Sequence, residues 1–167
     1  MTDSDKVFSG SIARLYESHL VPLIFQPYAD DLARRIATMG AKDVLEIAAG
    51  TGVVTRALAA LPGGLAIVAT DLNPAMLDEA ARIGTARPVR WQAADAMALP
   101  FDDACFDVVA CQFGAMFFPD KAKAFAEARR VLRPGGTFVF NVWDRIEDNE
   151  IADTVTAALA RLFPDDP

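Results

Sequence analysis

The sequence is poor in the residues from which metal sites, disulfide frameworks and hydrolytic triads are built: of 167 residues, two are cysteine and one is histidine. Cys105 and Cys111 flank a single predicted strand, so at ~3.3 Å per residue their α-carbons stand roughly 20 Å apart and cannot be bridged within one chain. With one histidine and no close Cys/His grouping there is no zinc site by spacing. Nothing points to an oxidising compartment, which leaves the cytoplasm as the expected location. Apolar runs are short, broken by Asp, Arg, Pro and Gly, and none approaches the ~20 residues that span a bilayer. The opening Met1-Thr2-Asp3-Ser4-Asp5-Lys6 is polar and acidic, unlike a signal peptide. Positive charge is also scarce: 16 basic against 23 acidic residues give a net charge of −7, a field that repels phosphate backbones and argues against a nucleic-acid partner. The local exception, Arg129, Arg130 and Arg133, is expected to serve a helix C-terminus, where cations favour the dipole.

What is present describes a globular domain: 53% hydrophobic and 23% charged residues in a chain of one domain's length. Its organising stretch is Val44-Leu45-Glu46-Ile47-Ala48-Ala49-Gly50-Thr51-Gly52, which reads as a buried strand, an acid and a small-residue bend that lets a ligand approach backbone. Val68-Ala69-Thr70-Asp71 is a second strand ending in an acid. Asp71 lies 19 positions beyond Gly52, about the spacing at which a nucleotide fold presents a carboxylate to a ribose diol; the alternative is an acid that merely caps a strand end.

Taken in order, residues 9–39 carry two helical patterns broken near Pro22 and Pro27. The first places Ile12, Leu15, Tyr16 and His19 on one face, and the second ends at Gly40. Strand one is Lys42 to Ile47, followed by a helix from Val53 to Leu61, strand two from Leu65 to Thr70, and a helix from Pro74 to Ile83 capped by Asn73. Val89 to Ala93 is a more polar strand, as an edge strand would be. Phe106 to Gln112 is strand four. A helix from Lys121 to Leu132 buries Ala124, Phe125, Ala128 and Leu132. Arg133-Pro134-Gly135-Gly136 is a turn, Thr137 to Trp143 is strand five, and a final amphipathic pattern runs from Asp148 to Leu162. The apolar loop Phe113, Met116, Phe117 and Phe118 either lines an acceptor pocket or belongs to the core.

The order of Glu46-Ile47-Ala48-Ala49-Gly50-Thr51-Gly52, Asp71, Ala94-Asp95-Ala96, Phe106-Asp107-Val108-Val109 and Arg130-Val131-Leu132-Arg133-Pro134-Gly135-Gly136 resembles the class I S-adenosylmethionine-dependent methyltransferases, from about Lys42 to Trp143. The likeness is greatest to the small-molecule type that modifies quinones and other lipophilic metabolites. The resemblance implies an α/β, Rossmann-like, doubly wound and mostly parallel sheet of order 3-2-1-4-5, with residues 42–143 as cofactor-binding core and 9–39 as a helical lid. It implies S-adenosylmethionine as cofactor, with Glu46, Ala48, Gly50, Thr51 and Gly52 at its amino-acid end, Asp71 on its ribose, and Asp95 with Ala96 on its adenine. It further implies Leu72, Met76 and Met97 flanking that ring, and Gln112 and Phe113 near the methionine end. Phe113, Met116 and Phe117 are then candidate acceptor contacts. His19, Tyr16 and Asp144 are candidate general bases, should the acceptor need one. Ala48 stands where that family usually has glycine, and its methyl is expected to exclude most positive-φ geometries. Strands six and seven of that fold are missing, so the chain reads as one C-terminally incomplete domain, 1–167, whose open fifth-strand edge invites a homodimer. Two rival readings remain: a cofactor-binding module without catalysis, and a nicotinamide oxidoreductase, whose third glycine is here Thr55.

Overall fold

The computed structural model describes residues 10–163; Ser9, where the first helical pattern was expected to open, and Pro164 lie outside them. Five strands, β1 (Asp43–Glu46), β2 (Ala66–Asp71), β3 (Arg90–Ala93), β4 (Phe106–Gln112) and β5 (Leu132–Asn141), form one parallel sheet in the order β3-β2-β1-β4-β5. Because β1 and β4 are covered on both faces, their centres, Val44-Leu45 and Val108-Val109-Ala110-Cys111, are continuously apolar rather than alternating. Val44, Val108 and Ala110 face one core, and Leu45, Val109 and Cys111 the other. The edge strand β3 keeps every residue at least partly accessible. The strand order reverses between β1 and β4, which opens a crevice at their carboxyl ends.

The helices are α1 (Gly10–Leu15), α2 (Gln26–Ala37), α3 (Val53–Ala60), α4 (Pro74–Ile83), α5 (Lys121–Val131) and α6 (Glu150–Leu162). α2 and α3 cover one face of the sheet through Leu32, Ile36, Val54 and Leu58, and α5 covers the other through Ala124, Ala128 and Val131. α4 begins as its sequence dictates, with the Asn73 side chain accepting the Ala75 N–H and Pro74 at the first helical position.

Four expectations are corrected. Pro22 does not break the N-terminal helix: residues Tyr16–Phe25 form a π-helical segment that joins α1 to α2 without interruption. The wider i→i+5 turn relieves the clash that proline makes in an α-helix. Arg133-Pro134-Gly135-Gly136 is not a turn before β5 but a bulge inside it, because Leu132 pairs with Phe106 and Thr137 already pairs with Val108; the strand then ends at Asn141, short of Trp143. Phe125 is not buried with Ala124 and Ala128 but packs outward on Phe138 and Phe140, at centroid separations of 5.7 and 5.8 Å. Finally, Arg130 and Arg133 do not cap their own helix. Arg130 is drawn to Glu127, Asp103 and the carbonyls of Leu99 and Phe101. Arg133 joins Asp43 to Asp107 at 2.8 and 2.7 Å.

Both cysteines are free, with Cys111 buried. Among the described residues, no helix is long and apolar enough to cross a membrane. α6 is helical as its pattern predicts, yet all its residues are exposed, including Ile151, Val155, Leu159 and Leu162.

Candidate functional site

β1 ends in Glu46, and the bend that follows is stitched to both neighbouring strands. Ile47 N–H donates to the Ala110 carbonyl and Ala49 N–H to the Thr70 carbonyl, each at 2.9 Å. Gly50 N–H donates to one oxygen of Asp71 at 2.8 Å, while Asn73 N–H donates to the other at 2.8 Å. Burial pushes the Asp71 carboxyl up, opposed by those backbone donors. Each oxygen, bonded once, retains a lone pair for a ligand.

Asp71 pairs in register with Ala93, and Ala94 N–H donates to the Asp71 carbonyl at 3.0 Å. Asp95 therefore stands one step past the neighbouring tip, on the same carboxyl edge. One of its oxygens accepts Met97 N–H at 2.8 Å; the other, like Ala96 N–H, meets no protein partner among the described residues. Leu72 is exposed beside this edge, Met76 is buried on α4, and Met97 packs half-buried on the α5-side core.

Glu46 is 1% exposed. Burial pushes its carboxyl up to about 8, countered by a hydrogen bond donated by the Thr55 hydroxyl from the first turn of α3 and reinforced by the charge of Asp71. The residue that fails the dinucleotide pattern thus serves to hold this acid. Gly52 opens α3 at φ 80, and a Cβ there would meet the Trp91 ring at 2.7 Å. It permits the packing of Trp91 on the bend rather than ligand approach. Gly50 is the open position, since a Cβ there meets nothing within 4 Å. The Thr51 carbonyl accepts from Arg56 at 2.7 Å, and its buried hydroxyl has no partner.

Ala48 has φ 53, inside the small left-handed region that the expected exclusion of most positive-φ geometries leaves open to a residue with a methyl. The compensation lies across the crevice, where the bare α-carbon of Gly114 accepts the methyl; a Cβ on Gly114 would sit 2.4 Å from that of Ala48. Phe113, at the tip of β4, is also left-handed at φ 53.

Phe113 is 6% exposed and stacks on Trp143 at 4.1 Å, with Tyr28 edge-on at 5.1 Å and Phe25 at 5.7 Å. Phe118 belongs to the core, Met116 is half-buried, and Phe117 is 80% exposed and faces away. Of the apolar loop only Phe113 therefore joins a wall over the crevice. Its partners Phe25, Tyr28 and Trp143 were not foreseen, because they arrive from the N-terminal helix and from beyond β5. Gln112 donates from Nε2 to the Phe25 carbonyl at 3.3 Å and keeps Oε1 buried and unpaired.

The three candidate bases separate. Tyr16 stacks on Phe25 at 5.2 Å, and its phenol is pushed up to about 12 by burial and by the charges of Glu17, Asp71 and Glu46. It lies near the acids, but protonated, so it is a donor and not a base. His19 is exposed, and its Nδ1 shares a hydrogen bond with the Ser18 hydroxyl at 2.7 Å. It nevertheless lines one surface pocket with Ile12, Leu15, Tyr16 and Leu20, the face that the spacing predicted. Asp144 is exposed, three residues past β5, and accepts the N–H of Arg145 at 2.8 Å.

A family model described as a methyltransferase domain matches residues 45–140, more than half of the chain. Demethylmenaquinone methyltransferase of Thermus thermophilus is 44% identical over 100 residues, covering 59% of this chain and 46% of that protein. A ubiquinone/menaquinone biosynthesis C-methyltransferase of a Marinomonas species is 31% identical over 163 residues, covering 95% of this chain and 60% of that one. The chain spans about half the length of the curated relatives it matches, between 36 and 60%. Among solved structures, a candidate S-adenosyl-L-methionine-dependent methyltransferase of Methanococcus maripaludis superposes with a TM-score of 0.73 at 24% identity, covering 99% of this chain and 77% of that one. The YcgJ protein of Bacillus subtilis gives 0.62 at 31%, covering 78 and 57%. The chain therefore belongs to the methyltransferase-domain family, and its fold is that of the class I S-adenosylmethionine-dependent methyltransferases.

Proposed function

We propose that this chain holds S-adenosylmethionine across the carboxyl ends of β1, β2 and β3 and passes its methyl group to a small, planar, lipophilic acceptor. The observation that carries the reading is the pair of acids Asp71 and Asp95 on adjacent strand tips, each with free acceptor capacity, beside a bend whose open face at Gly50 is bare. Asp71 accepts both ribose hydroxyls. Asp95 accepts from the adenine amino group, and Ala96 N–H donates to the ring, with Leu72, Met76 and Met97 about it. Glu46 and the unpaired Gln112 Oε1 face the amino-acid end, with Ala48 and Thr51 of the bend.

The sulfonium supplies an already activated methyl group, so no nucleophile of the protein is needed. What the chain contributes is alignment and exclusion of water, worth several kcal/mol when acceptor and methyl are held in line. Phe113, Trp143 and Tyr28 form an aromatic wall suited to a flat ring. Relatives named for demethylmenaquinone and for ubiquinone/menaquinone biosynthesis support that acceptor class. No base is assigned, because His19 and Asp144 are exposed and occupied with their own turns. Of the segment expected as a lid, the described residues 10–39 close over the core formed by 42–143, and the cytoplasm is the working location.

Calorimetric titration with S-adenosylhomocysteine tests the site. Asp71→Ala is expected to weaken binding by the ~1.5–3 kcal/mol of a hydrogen bond to a charged group, roughly 10- to 150-fold. Unchanged affinity refutes the assignment.

A further inference from the structure

The N-terminal helix is fastened across the crevice at two points. Phe25, at the end of the π segment, accepts from Gln112 of β4 at 3.3 Å. At the other end, Glu17 pairs with Arg56 of α3 at 2.6 Å, with side chains only 19 and 21% exposed. Arg56 has a second attachment: its other amino group donates to the Thr51 carbonyl, in the middle of the bend, at 2.7 Å. One guanidinium thus grips both the segment that overlies the site and the backbone that a ligand would meet, a geometry that the planar fork of arginine allows and a lysine ammonium does not.

The contact is poorly explained as a stabilising device. Ion pairs withdrawn from water gain little net stability, since desolvation offsets attraction. This one is also left incomplete: among the described residues the second Glu17 oxygen is buried without a partner, as is the hydroxyl of Thr51, which stands between Gly50 and Gly52. Tyr16, adjacent to Glu17, carries its ring to within the field of Asp71 and Glu46. Holding Glu17 in place therefore also holds Tyr16, whose ring stacks at 5.2 Å on Phe25 at the other fastening point.

We propose that Glu17 and Arg56 are positioning residues that retain the bound nucleoside, Arg56 coupling closure of the N-terminal helix to the shape of the bend through the Thr51 carbonyl. This rests on the reading of the carboxyl edge as an S-adenosyl nucleoside site, and it names what slows release from that site. Neither residue touches the ligand in this account. They act on the rate of escape.

The test is stopped-flow tryptophan fluorescence with S-adenosylhomocysteine on the wild-type chain, Glu17→Gln, Arg56→Gln and the double variant, with thermal unfolding in parallel. Glu17→Gln keeps the shape and removes the charge. It is expected to raise the dissociation rate by roughly tenfold while the association rate stays within about twofold. Arg56→Gln should do the same, and the double variant should be no worse than the poorer single, as for partners in one contact. A dissociation rate unchanged in Glu17→Gln, with only the melting temperature lowered, overturns the proposal and leaves the pair structural; because that variant preserves side-chain volume, it serves even if Arg56→Gln fails to fold. A wild-type chain that binds no S-adenosylhomocysteine overturns the functional reading itself, and the latch with it.

Discussion

The opposition of Ala48 and Gly114 lends itself to a double-mutant cycle whose outcome the geometry sets in advance. Gly114 has φ −84, a value that alanine adopts freely, so Gly114→Ala is opposed by space alone. The new methyl would lie 2.4 Å from the Ala48 Cβ, against the ~3.5–4 Å at which carbon atoms attract. The atom it meets cannot rotate away. The cost belongs at the upper part of the ~1–3 kcal/mol range for overpacking. Removing the opposing methyl changes the answer: with Ala48→Gly in place, the nearest remaining atoms are Cys111 Sγ at 3.1 Å and the residue-48 carbonyl oxygen at 3.7 Å. Taken alone, Ala48→Gly relieves the left-handed backbone by ~1–2 kcal/mol, loses ~0.8 kcal/mol of methyl burial and ~0.4–1 kcal/mol through the freer unfolded chain, and so stays within about 1 kcal/mol of wild type. The four proteins compared by urea unfolding should show a favourable coupling of about 1–3 kcal/mol between the two substitutions. Effects that add to within ~0.5 kcal/mol would refute the account of how alanine occupies a glycine position.

Further outcomes follow from the acids and from the sheet edge. Glu46 binds a proton in the folded chain up to about pH 8 that the unfolded chain releases near 4.5, so stability should fall as pH rises through that window, by on the order of 1–4 kcal/mol, and the slope should flatten in Glu46→Gln. Chemical denaturation at several pH values measures it, and equal slopes in the two proteins would count against a buried, protonated Glu46. A cationic ligand beside Glu46 favours its ionised form, so binding of S-adenosylmethionine at pH 7 should release a proton, read as a dependence of calorimetric enthalpy on buffer. We also propose that β5, the last strand of the described sheet, with Phe140 and Val142 exposed beside it, pairs with a second copy of the chain; a monomer by light scattering refutes it.

Features carried by short stretches were readable from the residues, and features made by distant partners were not. The strands themselves follow from apolar runs, two of them closed by Asp71 and Asp95, while the strand order and the nucleoside roles proposed for those acids came from the family resemblance that the motifs carry. Ala48 could not be judged locally, because the space for its methyl is made by Gly114, far along the chain. Tyr16 and His19 share the face that the spacing gave them, lining one surface pocket with Ile12, Leu15 and Leu20, but that Tyr16 would be half-buried against Phe25 and His19 exposed depended on partners elsewhere in the chain. Glu17 and Arg56, 39 positions apart, look like ordinary surface charges until the helix is laid over the bend. The aromatic wall escaped notice for the same reason: Phe25, Tyr28, Phe113 and Trp143 come from three separate segments.

Arg133 ties Asp43 of β1 to Asp107 of β4, and Asp107 also accepts the N–H groups of Lys42 and Asp43, Asp43's donation first, which with the guanidinium holds its carboxyl down to about 2. All of this lies at the strands' amino ends, the far rim from the acids and the aromatic wall. Alignment of the central strands is thus anchored where no ligand comes. The opposite rim is left at liberty to vary, so that a descendant of this chain can exchange one wall residue for another without first losing its footing.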